Sequence, residues 1–132
     1  MKKLTILAAL FAVSSLFVSC STLKEIPEEK TSAQIIQMGQ NYVAASEYRS
    51  AEFCYETVIE RFGSDATTYV EAKYELGRVY LAEKKYDKAY AAFQEILTIY
   101  DSYAAMLPGA YKKLCNISIS QIPEKKLAEL QK

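Results

Sequence analysis

Histidine and tryptophan are absent from the 132 residues, and cysteine occurs only three times. Without histidine there is no imidazole base, no His-containing zinc site and no side chain that titrates near neutrality by default. Nor does the chain hold a glycine-rich phosphate loop, a GxSxG elbow or a CxxC pair, the patterns that phosphate, acyl-transfer and redox chemistry require. No catalytic constellation can be assembled, so the expectation is a non-enzymatic protein with no cofactor and no metal. Charge is balanced as well, with 16 basic and 16 acidic residues. Beyond residue 19 the count is 14 basic against 16 acidic, which gives no electrostatic reason to expect a nucleic-acid partner. The length leaves room for one domain.

What is abundant is tyrosine, eleven in all, and most of these fall at helical spacing. In VEAKYELGRVYLAEKKYDKAYAAFQEILTIYD, from Val70 to Asp101, Leu76, Gly77 and Tyr80 share one helical face. Tyr86, Ala89, Phe93 and Ile96 share another. Glycine inside a helix costs about 1 kcal/mol relative to alanine, so Gly77 implies a close crossing, with the small Ala89 facing it and Tyr80, Tyr86 and Phe93 filling the space above and below. These residues stand where the tetratricopeptide repeat has its signature, and the stretch resembles one such repeat. Lys73, Ile96 and Asp101 depart from residues common in that family.

The pattern recurs. Met38, Gly39, Tyr42, Tyr48, Ala51, Tyr55 and Val58 occupy the same relative places, 38 residues earlier. The added length against a 34-residue unit falls in Gly63–Ala66, where Ser64 or Asp65 can cap the next helix. Thr31 and Gln34 form a capping box before the first helix. A further 38 residues lead to Leu114 and Cys115, the first helix of a third, incomplete unit in which Ser118 replaces tyrosine. Pro123 then breaks the chain. The expected fold is all-α: an antiparallel helical-hairpin solenoid of the tetratricopeptide type, about two and a half repeats, with five main helices. Residues 32–122 form the helical domain and 123–132 a short final helix or tail. Cys54 and Cys115 lie two units apart in such a stack and read as independent small residues rather than a disulfide.

The only long apolar run lies at the amino terminus, Leu4–Val18 after Lys2 and Lys3. It is shorter than the roughly 20 residues of a membrane span and has the form of a secretory signal over residues 1–19. Its ending, LFVSC, resembles the lipobox of bacterial lipoproteins, with Phe17 departing from the usual aliphatic residue. The resemblance implies that Cys20 is acylated and becomes the new amino terminus, fixing the protein to a membrane; an ordinary signal with an incidental cysteine is the competing reading. Residues 20–31 then read as the lipidated cysteine and a polar tether. Ser21, where enteric inner-membrane lipoproteins carry Asp, implies the outer membrane, with the domain facing the periplasm.

A helical stack presents a concave side lined by the first helix of each unit. Here that side is expected to carry Ile36, Gln40 and Val43, then Tyr74, Arg78 and Leu81, then Lys112 and Asn116. An apolar and aromatic floor flanked by Arg78 and Lys112 suits an extended peptide with a carboxylate; simple packing of Tyr74 and Leu81 within the stack is the competing use. The acids Glu47, Glu52, Glu56 and Glu60, with Arg49 and Arg61, read as a solvated helix face.

Lipobox, tether and repeats together are similar to the amino-terminal part of BamD-type (YfiO-type) lipoproteins. Arg61-Phe62-Gly63 stands at their RFP-like turn, and Tyr69 and Ala72 follow in place. The similarity covers about residues 32–121, half of that family's usual repeats. It implies a lipid-anchored adaptor for protein or peptide partners in outer-membrane β-barrel assembly. A role in another envelope complex, Tol–Pal-associated or serving solute uptake, is the alternative.

Overall fold

The computed structural model describes residues 22–103 and 107–132; the signal segment and Cys20 lie outside them. Among the described residues the secondary structure is entirely helical. The elements are α1 (Ser32–Ala44), α2 (Tyr48–Phe62), α3 (Ala66–Ala82), α4 (Tyr86–Tyr103), α5 (Ala110–Ser120) and α6 (Glu124–Leu130).

Local chemistry sets the boundaries. The Thr31 side chain accepts from the Gln34 backbone N–H while the Gln34 side chain accepts from Thr31, closing the expected capping box on α1. Asp65 caps α3, its carboxylate accepting from the Thr68 N–H at 2.8 Å. The α1–α2 and α3–α4 turns are copies of each other. Each holds one residue in the left-handed region, Ser46 and Lys84, both at φ 60°. In each, the next two amides bond back in the same way: Ser46 to Val43 and Glu47 to Tyr42, Lys84 to Leu81 and Lys85 to Tyr80. Such bonds satisfy carbonyls that a helix end leaves unpaired.

Inside each hairpin the small residue faces an aromatic ring. A Cβ added at Gly39 would stand 2.6 Å from the Tyr55 ring, and one at Gly77 would stand 2.6 Å from the Phe93 ring. Glycine is therefore required by close approach and not by backbone angle. Tyr55 and Phe93 are fully buried and occupy the same place in successive repeats. Two cores result. One gathers Ile35, Ile36, Ala51, Cys54, Tyr55, Val58, Ala72, Leu76 and Val79; the other gathers Val70, Tyr74, Ala89, Phe93, Ile96, Tyr100, Leu107 and Cys115. Helix α3 feeds both, which makes it the element that fuses the repeats. Cys54 and Cys115 are free thiols in different cores. Burial pushes their pKa values up to about 11 and about 12, so both stay protonated and unreactive at neutral pH.

Besides setting Gly77 against the Phe93 ring and not against Ala89, the structure departs from the sequence reading in two places. The segment read as a free tether is docked from Leu23 onward. The Leu23 N–H donates to Ser50 Oγ at 3.2 Å, Ile26 is 2 % exposed, and Leu23 packs against the first core. Arg61 donates to the carbonyls of Ile26 and Pro27 at 2.9 and 3.1 Å and pairs with Glu28 at 3.1 Å. Arg61 is thus a clamp and not part of a solvated face, because a solenoid's first hairpin exposes an apolar edge that something must cover. The second departure is the third unit, which does not repeat the crossing. Gln131, sixteen residues beyond Cys115 as Phe93 is beyond Gly77, is an exposed C-cap. Helix α6 docks instead on α4, with Lys126 Nζ 2.8 Å from Asp87.

Candidate functional site

Because no second helix closes over it, α5 leaves a groove between itself and α3 with a volume of about 840 Å³. Helix α3 contributes Tyr74, Glu75, Arg78 and Leu81, the following turn adds Lys84 and Tyr86, and α5 contributes Tyr111, Leu114, Ile117 and Ser118. The wall is partly aromatic: the Tyr74 ring packs edge-on against Tyr111 with centroids 5.5 Å apart. Tyr74 also reaches Ser118, the two hydroxyls 3.4 Å apart. The serine that replaces tyrosine in this unit thus meets the hydroxyl of a buried neighbour. Leu114 and Ile117 are 37 % and 46 % exposed, and this apolar surface faces the open groove.

Glu75 is the unusual group. Its side chain is only 14 % exposed and pairs with Arg78 at 3.2 Å. Burial raises its pKa above the usual 4.5, a rise to which the Glu71 charge adds and which Arg78 and the Gln40 amide only partly offset. Tyr111 is pushed up to about 12, first by burial and then by the charges of Glu71 and Glu75. The groove therefore presents a phenol at Tyr111 that stays protonated at neutral pH and one poorly hydrated carboxyl group at Glu75, beside the basic side chains of Arg78 and Lys84.

Of the residues expected on the concave side, Tyr74, Arg78 and Leu81 line this groove. Ile36 is 5 % exposed within the first core, and Val43 packs at its edge. Gln40 is exposed on α1, outside the groove wall. Lys112 and Asn116 are not brought to it either. Lys112 lies 3.4 Å from Asp101 at the α4 side, and Asn116 donates to the Lys112 carbonyl at 2.9 Å. Helix α5 keeps the 38-residue register, Cys115 being buried as Gly77 is. It meets α3 with Tyr111, Leu114, Ile117 and Ser118, the places of Lys73, Leu76, Val79 and Tyr80, of which α3 turns the last three to the preceding repeat. Sequence reasoning missed Glu75, Lys84, Tyr86, Tyr111, Leu114 and Ile117. The spacing of Tyr111, Leu114, Ile117 and Ser118 is a one-face helical stripe and was the signal available.

Outside the groove, Lys73 and Glu95 pair at 2.8 Å across α3 and α4, and the Tyr69 hydroxyl donates to the same carboxylate. Burial opposes ionisation of Glu95, but the hydrogen bonds from Lys73 and Tyr69 outweigh it and hold the pKa below its usual value. Lys85 Nζ stands 2.7 Å from both Glu52 and Glu83, joining the first hairpin to the turn of the second. Among the described residues no set of three potential metal ligands is gathered, and no helix is long and apolar enough to cross a membrane.

Comparison with known proteins agrees with this architecture. The tetratricopeptide repeat model matches residues 70–103, most of α3 and all of α4. An uncharacterized protein of Treponema pallidum (strain Nichols) is 32 % identical over 117 residues, 86 % of this chain and 47 % of that protein. The chain therefore spans about half the length of the relative it matches. No solved structure matches. Residues 70–103 are a tetratricopeptide repeat, and the all-helical chain built around it is a solenoid of that type.

Proposed function

We propose that this chain is a lipid-anchored adaptor that holds a protein or peptide partner in the α3–α5 groove, facing the periplasm from the outer membrane. Tetratricopeptide repeats generally serve as protein-interaction scaffolds, and that general role is the firm part of the reading. The observation that carries the rest is the groove itself, whose apolar floor of Leu114 and Ile117 lies open beside paired and unpaired charges. Such a mixture suits an extended polypeptide, whose apolar side chains fill the floor and whose charges meet the rim.

The anchor and the assignment to β-barrel assembly rest on the LFVSC ending at Cys20 and on the likeness of the repeats to BamD-type lipoproteins. With Leu23 docked, only Ser21 and Thr22 separate an acylated Cys20 from the folded domain. That distance is at most roughly 11 Å, so the domain would ride close against the bilayer.

Two experiments test this reading. Metabolic acyl labelling should mark the wild-type chain and leave Cys20→Ala unlabelled. Affinity capture from detergent-solubilised envelopes should recover barrel-assembly components, and their loss in Leu114→Asp would place the contact at the groove. Labelling that persists in Cys20→Ala would end the anchor assignment, and capture without any assembly component would end the pathway assignment.

A further inference from the structure

The charges along the groove are ordered. Glu75 lies just past the middle of α3, Arg78 about one turn further on, and Lys84 in the turn beyond the helix end. Leu81, Leu114 and Ile117 lie along the same groove. We propose that the groove is a bipolar site for an extended peptide, taking a basic side chain at Glu75, an apolar one at the leucines, and a carboxylate at Arg78 and Lys84. This rests on the groove being the binding surface, and it adds the chemical class of the ligand.

Three observations support it. Glu75 is largely shielded, and the only cation held against its carboxylate is Arg78, itself 53 % exposed and free to turn toward a ligand. A cationic side chain entering the groove gives Glu75, already bonded by the Gln40 amide, a cation in place of Arg78 and releases Arg78 to meet an acid. Lys84 is exposed, is held at the groove end by a left-handed backbone, and has no carboxylate within 4.0 Å among the described residues. Its charge is therefore available, whereas Lys112 is occupied by Asp101. Finally, from Glu75 to the helix end at Ala82 α3 rises about 10 Å, with Lys84 in the turn just beyond. An extended chain covers that rise in about three residues, so a pentapeptide reaches the turn.

Exposed ion pairs contribute modestly, so charge matching at both ends is expected to separate good from poor ligands by about tenfold. The probes are three blocked pentapeptides: Arg-Gly-Leu-Gly-Asp, and its versions with Arg at both ends or Asp at both ends. Binding is measured by fluorescence anisotropy on the full chain in detergent micelles. The bipolar peptide should bind about tenfold tighter than either like-charged one. Glu75→Gln should remove the preference for Arg, and Arg78→Gln with Lys84→Gln the preference for Asp. Zero-length carbodiimide coupling should join the peptide's Asp to Lys84 Nζ. Equal affinity for all three peptides, abolished by Leu114→Asp, would overturn the bipolar site and leave the groove standing. Coupling to Lys112 or Lys113 instead would overturn the assigned polarity. Binding of none of them would overturn both readings. Concentration-dependent dimers lost in Leu114→Asp would identify a second copy of the chain as the occupant, against the proposal.

Discussion

Helices α1–α4 and helices α5–α6 obey the same 38-residue spacing in sequence yet behave differently in space. In the first two units a glycine on one helix admits an aromatic ring from the next, and that ring is fully buried. In the third, Cys115 is buried against the preceding repeat, and the helix that would have supplied the ring is too short and docks elsewhere. The difference shows that a repeat unit is a pair of helices and not a motif on one of them. Where the pair is incomplete, the same stripe becomes surface, and that surface lines the groove.

The sharpest test of this contrast is at the ring position. Phe93→Ala should cost about 3–5 kcal/mol in urea unfolding, while Gln131→Ala, at the same place in the third unit, should stay within about 0.5 kcal/mol of wild type. Next comes the residue before each small position. Leu76 is 5 % exposed and Leu114 37 %. Leu76→Ala should lose about 2–5 kcal/mol, and Leu114→Ala much less, with its effect falling on ligand binding. Comparable losses at both leucines would mean that the third unit is closed after all.

Overpacking comes third. Gly39→Ala and Gly77→Ala each force a methyl group into a ring and should cost about 1–3 kcal/mol, visible as a lowered melting temperature. An unchanged value would break the crossing. Fourth, at the crossing the rings of the first two repeats differ by one oxygen. The Tyr55 hydroxyl is buried with no hydrogen-bond partner among the described residues, and Phe93 has none to satisfy. Tyr55→Phe should therefore stabilise by about 1 kcal/mol, making repeat one resemble repeat two.

The smallest effect is the pH dependence at Glu75. Its pKa is raised on folding, so its favourable contribution is complete below the unfolded value of 4.5 and is lost as pH rises through the folded value. Glu75→Gln should gain stability relative to wild type at pH 7, and that gain should shrink below about pH 4.5. A gain independent of pH would mean that ionisation is not its source.

Much of the fold was legible because each local signal agreed with the next. Thr31 and Gln34 announced a helix start and Gly77 a close crossing, although its neighbour proved to be the Phe93 ring and not Ala89, and the recurrence of the pattern 38 residues apart made one hairpin testify for the other. The candidate site was half legible. Tyr74, Arg78 and Leu81 sit on a helix packed from both sides, so their direction follows from the repeat. Lys112 and Asn116 stand at the places of Tyr74 and Arg78 in the next unit, but the groove is formed by the opposite faces of two successive units, so only one of the two equivalent sets can line it. The amino-terminal segment misled for a related reason: its polar residues suggested a tether, while two apolar ones, Leu23 and Ile26, were enough to dock it.

Sequence alone determined the helices, the capping box at Thr31 and the close crossing at each glycine, because these depend on neighbours within one 38-residue period. The tertiary structure decided which surface stayed open. Exposure of Leu114 and Ile117, shielding of Glu75 and the availability of Lys84 depend on which helix is absent beside α5 and on how α5 turns to bury Cys115. Those are properties of contacts between periods, and no residue encodes them singly.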